Sequence, residues 1–164
     1  MSINNWLGRI VVISVLAFAA PFSAGQTSDA DLARWVGAWE LNLARSSFGT
    51  EPPRSDTRRF SMQDGVLASE WNVVYAGGNT ANVRYASRAD GKDYPVTGSR
   101  SYDAVSMTAM GKNARAFEFM LKGKVVVTGY ALMSVDGNSW VGVTERLDDK
   151  GARTSVSVLV FDKK

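Results

Sequence analysis

A chain of 164 residues with no histidine and no cysteine has few routes to covalent chemistry. A His-based triad, a thiolate nucleophile and a His/Cys zinc site are all out of reach. Ser-x-x-Lys, Gly-x-Ser-x-Gly and a glycine-rich phosphate loop leading into a helix are missing as well. Carboxylates remain. Asp90 and Asp93 flank an expected hairpin tip, and Asp148 and Asp149 sit in another turn. Two carboxylates facing one cavity could share acid and base roles if one were buried. Aspartate also favours turns for its bonds to nearby backbone, and that accounts for these four. The sequence therefore reads as a non-enzyme without a cofactor, with carboxylate chemistry as the one catalytic route left open. The aspartate turns lack the alternating oxygen ligands of a calcium loop, so no metal site is expected.

The second constellation is aromatic. Trp71, Tyr75, Tyr85, Phe117, Phe119, Tyr130 and Trp140 fall in the middle of expected strands. Inward positions alternate along every strand of a barrel, so these side chains could line one cavity. Such walls suit an apolar or planar ligand, with a few hydroxyls to orient it. They could equally fill the barrel completely.

Short strands and turns must position these residues. Asp64-Gly65, Gly77-Gly78-Asn79, Asp90-Gly91, Gly111-Lys112-Asn113, Asp136-Gly137-Asn138 and Asp149-Lys150-Gly151 punctuate the chain. These residues supply positive φ cheaply and join antiparallel neighbours. Period-2 runs between them predict about nine strands: 37–44, 56–63, 66–76, 80–88, 103–110, 114–122, 124–135, 139–147 and 153–161. The fold class is all-β, an antiparallel up-and-down barrel of about eight or nine strands, since closure removes exposed edges. A β-sandwich is the alternative. Ahead of the first strand, Ser28 and Asp31 form an N-cap pair for a short helix. Leu32, Trp35 and Val36 share its apolar face, and Gly37 is expected to end it. This helix would plug one mouth, with Trp39 on the barrel floor. Residues 46–54, holding Gly49, Pro52 and Pro53, form a long first loop that could guard the entrance.

Ile10 to Ala20 is apolar apart from Ser14, too short to span a membrane as a helix, and Ser23-Ala24-Gly25 follows it. Residues 1–25 thus read as a secretory signal peptide, leaving 26–164 as one domain with no stable membrane anchor, periplasmic or secreted. The net charge is only +3 and the two signs are mixed along the chain. Nucleic-acid binding is not expected, since it needs a basic face. Strand 124–135 is apolar on both faces, as Val125 and Val127 lie against Val126, Tyr130 and Leu132. A second copy or a protein partner could cover the outer side.

Gly37-x-Trp39-x-Leu41-Asn42, then Asp90-Gly91-Lys92-Asp93-Tyr94-Pro95, then Lys124-Val125-Val126-Val127-Thr128-Gly129 resemble small exported bacterial lipocalin-like (calycin-type) proteins. The resemblance implies a barrel and export, and no reaction. Lipocalin barrels set an arginine against the tryptophan of the Gly-x-Trp signature, which makes Arg146, or else Arg153, a candidate neighbour of Trp39, with exposure on a polar strand face as the alternative. The last strand lacks the arginine–x–tyrosine that grips a carboxylate in fatty-acid-binding barrels, so the expected ligand is uncharged or weakly polar. Two functions follow: a barrel that holds a small apolar or weakly polar molecule, or a packed, ligand-free barrel that acts through its loops as a protein-binding or inhibitor module.

Overall fold

Turn residues and alternating side chains fold the chain into one antiparallel sheet that curls into a nearly closed barrel. A computed structural model describes residues 28–164. The expected signal peptide, 1–25, lies outside them. A short helix α1 (Asp29–Ala33) is followed by strands β1 (Gly37–Leu41), β2 (Ser55–Gln63), β3 (Val66–Val74), β4 (Thr80–Ser87), β5 (Asp90–Pro95), β6 (Ala104–Ala109), β7 (Ala114–Leu121), β8 (Lys124–Met133), β9 (Ser139–Leu147) and β10 (Arg153–Lys163). The ten strands run β4-β3-β2-β1-β10-β9-β8-β7-β6-β5. The first and last strands therefore pair at the centre of the sheet, with Trp39 opposite Lys163 and Leu41 opposite Phe161. Between β4 and β5 a single bridge, Arg84 with Thr97, draws the edges together. Gly98 (φ +73°) makes that approach possible, because a Cβ there would lie 1.7 Å from the Asn82 carbonyl oxygen.

The barrel class is as expected, and three elements differ in detail. First, β1 stops at Leu41, where Asn42 Oδ1 accepts from Arg45 N at 3.0 Å and caps a short 3-10 turn, Leu43–Arg45. Second, β5 occupies Asp90–Pro95, where a hairpin tip was expected. It is an edge strand with mostly exposed residues, so no apolar alternation marks it. Third, the valine face of β10 points outward. Ser157 and Leu159 face the lumen, while the loop after the 3-10 turn covers the valines through Ser47 bridging Val158.

The start of the chain forms a plug. Ser28 Oγ accepts from Asp31 N at 3.2 Å, the expected N-cap. The helix ends at Ala33 with Arg34 as its cap, so Gly37 opens β1 instead of ending α1. Gly37 sits at φ +143°, a conformation that L side chains rarely adopt, so the turn from plug to wall requires glycine. Trp35 and Trp39 are fully buried, and Trp39 Nε1 donates to the Trp35 carbonyl at 3.0 Å. Around them pack Phe60, Leu67, Met133, Trp140 and Phe161.

Candidate ligand cavity

Strand register selects the inward side chains. Arg58 pairs with Trp71, Phe60 with Ser69 and Asp56 with Val73 across β2 and β3. Trp71 pairs with Val83 and Ser69 with Tyr85 across β3 and β4. On the other wall Met107 pairs with Phe117 and Val105 with Phe119, and Arg115 pairs with Ala131. Next to β10, Trp140 pairs with Phe161, Gly142 with Leu159 and Thr144 with Ser157. These rows enclose a cavity of about 170 Å³. The plug closes one end. At the other, Phe48, Thr50, Glu51 and Pro53 of the first loop join Tyr75 and Arg146 around the mouth, so the loop stands where an entrance loop was expected.

The fold brings six of the seven expected aromatics together around one cavity. Trp71, Tyr75, Tyr85, Phe117, Phe119 and Trp140 all line the cavity. Trp71 meets Tyr85 and Phe119 edge-on, at centroid distances of 5.5 and 5.3 Å. Trp140 stacks on Phe161 at 4.1 Å. Tyr75 is 44% exposed and belongs to the rim. Tyr130 is the exception: it is 53% exposed and points outward, because the inward row of β8 is Val127, Gly129, Ala131 and Met133. Counting from the wrong phase of a strand apolar on both faces misplaced it.

Two arginines complete the lumen. Arg58 lies between the rings of Trp71 and Phe161, its Cζ 4.1 and 4.3 Å from their centroids. Its Nη2 donates to Asp56 Oδ2 at 2.7 Å, and its Nε reaches both carboxylate oxygens at 3.2 Å. The pair is buried and internally neutral. Arg115, on β7, is 4% exposed and rests on the Trp35 indole, its Cζ 3.6 Å from the ring centroid. Its Nε and Nη1 have no hydrogen-bond partner among the described residues. Burial holds its guanidinium down at about 10, with the nearby Tyr85 acting in the opposite sense. Burial in turn pushes the Tyr85 phenol up, against the pull of the Arg115 charge. Tyr102 is raised for the same first reason.

Both arginines were legible in principle. Arg58 stands two residues before Phe60, and Arg115 stands two and four residues before Phe117 and Phe119, so period-2 counting puts them inside. The last strand offers no arginine–tyrosine pair to the lumen; the cations come from β2 and β7. Arg146 does not reach Trp39. It pairs with Ser155, eight residues along β10 from Lys163, and stands at the mouth. The cation over Trp39 is Lys163, its Nζ 5.3 Å from the ring centroid. Arg153 Nη1 donates to Glu145 at 3.1 Å on the surface.

The four turn aspartates stay out of the lumen. Asp90 accepts from Lys92 N and the Tyr94 hydroxyl, and Asp148 from Lys150 N and Ala152 N. Asp93 and Asp149 are exposed. Two other carboxylates line the cavity, Asp56 and Glu51. Arg58 occupies both oxygens of Asp56, which removes it as a free base.

Neither a family model nor a curated protein matches this chain. Among the described residues no helix is long and apolar enough to cross a membrane.

Proposed function

We propose that the chain is an exported barrel that holds a small ligand with a largely apolar body in its lumen. The observation that carries this is the cavity of about 170 Å³, walled by aromatic rings and reached past one loop. An engineered apolar cavity of about 150 Å³ holds benzene, so this lumen suits a ring or a short chain. Eight aromatic side chains give it apolar area, while Ser157, Thr144 and Tyr85 offer hydroxyls for orientation.

Native mass spectrometry of protein purified from its own host should find a retained small molecule. Indole emission should shift when small apolar probes are added, because Trp71 and Trp140 line the cavity, and Trp71→Phe should blunt the shift. Unchanged emission across a broad panel of aromatic and aliphatic probes would favour a barrel that works through its loops. Terminal sequencing of the secreted protein should find Gln26 first.

A further inference from the structure

Arg115 lines the cavity, and its buried Nε and Nη1 lack an acceptor among the described residues. We infer that the lumenal ligand is a small monocarboxylic acid, aryl or short aliphatic, whose carboxylate is bound at the plug end by Arg115. This rests on the reading of the lumen as a binding site and names the class of molecule it takes.

Charge inside the barrel does not balance. Asp56 is the buried carboxylate of the lumen, and Arg58 holds it through both oxygens. Arg115 then remains as a buried cation with two unpartnered N–H-bearing atoms among the described residues. The Trp35 face beneath it contributes at most about 2 kcal/mol, less than the several kcal/mol that burying an ion costs. Buried polar groups without partners are rare, and a buried donor without one calls for an acceptor from outside the chain, a ligand or water. A guanidinium fork matches a carboxylate in shape and in its two parallel hydrogen bonds. One uncompensated positive charge matches a monoanion; a dianion would carry an unpaired negative charge into an apolar wall.

Position fixes orientation. Arg115 sits against Trp35 and Phe60, at the plugged end. The acid group therefore enters first. The apolar body then lies along Trp71, Phe119 and Val127 toward the mouth. Tyr85 lies close enough to feel the Arg115 charge, and burial keeps its phenol protonated, so it can donate a further hydrogen bond to the same carboxylate.

Matched probes test this on the secreted protein: benzoate against benzamide, and hexanoate against hexanamide, by calorimetry at neutral pH. The acids should bind roughly ten- to a hundredfold more tightly than their amides, the span expected for hydrogen bonds to a charged partner. Arg115→Met should erase that preference while amide binding persists. Arg115→Lys should keep the preference in weakened form, and serves if the methionine variant does not fold. Equal binding of acid and amide, or a preference that survives in Arg115→Met, would overturn the inference and leave the lumen as a neutral site. No binding by acids, amides or benzene would instead sink the lumenal reading itself, and this inference with it. Inorganic phosphate should not compete; competition at millimolar levels would mean a general anion site and refute the monocarboxylate.

Discussion

Arg58 and Arg115 are the same side chain in two kinds of burial. Both sit inside the barrel and both lie on aromatic rings. Arg58 has two rings and a carboxylate, whereas Arg115 has a ring and unpartnered nitrogens. The first arrangement is complete within the chain and belongs to stability. The second is incomplete within the described residues and, in the reading proposed above, belongs to binding. An aromatic face alone thus does not separate a structural arginine from a functional one; the counterion does.

The largest expected effect tests the completed pair. Asp56→Asn keeps the shape and removes the charge, stranding Arg58, and should cost about 3–5 kcal/mol of unfolding free energy by denaturant titration. A cost below about 1 kcal/mol would mean that the two rings suffice for Arg58, and the contrast would collapse.

Arg115→Met should act in the opposite direction. Removing a charge that burial disfavours should stabilise the unliganded barrel by about 1–3 kcal/mol, read as a higher denaturant midpoint. Destabilisation would show that Arg115 already has an acceptor.

Alkaline stability refines the same comparison. Tyr85 and Tyr102 hold their protons above the ordinary value of 10.0, so above that pH the unfolded chain releases protons that the folded chain keeps. Stability then falls with rising pH as each tyrosine contributes its share. Arg115, held down at about 10, works the other way, since its folded form releases a proton that the unfolded chain retains. Tyr85→Phe should flatten the alkaline decline and Arg115→Met should steepen it, both measurable as melting temperature between about pH 9 and 11. Identical slopes in all three proteins would show that neither group titrates as its surroundings require.

The smallest effect is the external control. Arg84 and Glu70 form an ion pair at 2.6 Å with much of both side chains in water. Glu70→Gln should cost about 0.2–1 kcal/mol and respond to salt, whereas the Asp56→Asn cost should not. Equal costs for the two would mean that burial does not set the strength of these pairs.

Much of the fold was legible, for physical reasons. Glycine and aspartate turns mark chain reversals by their backbone preferences, and the Ser28 cap fixed where the plug begins. The inward aromatics followed from alternation wherever a strand has one polar face, as in β3 and β7. Alternation failed where both faces are apolar, at Tyr130. It was silent at β5, an edge whose side chains meet water. The lumenal arginines were missed for another reason: period-2 counting from Phe60, Phe117 and Phe119 puts them inside, but a charged residue in a strand is read as outward. A sequence carries phase along one strand, while charge balance within a lumen depends on strands far apart in the chain.

The β4–β5 junction has a consequence for how the barrel breathes. Elsewhere each strand is laced to two neighbours, and the first and last strands pair in the middle of the sheet, with Lys164 N donating to the Ala38 carbonyl at 2.9 Å. At the junction two hydrogen bonds between Arg84 and Thr97, at 3.0 and 2.9 Å, close the cylinder. Local opening follows the fewest bonds, so this seam is where the wall parts first. Since β4 carries Val83 and Tyr85 into the lumen, parting there loosens the cavity from its side while plug, floor and the β1–β10 pair stay assembled. The molecule is a cylinder with a zip, and the zip runs along the wall that bears Tyr85.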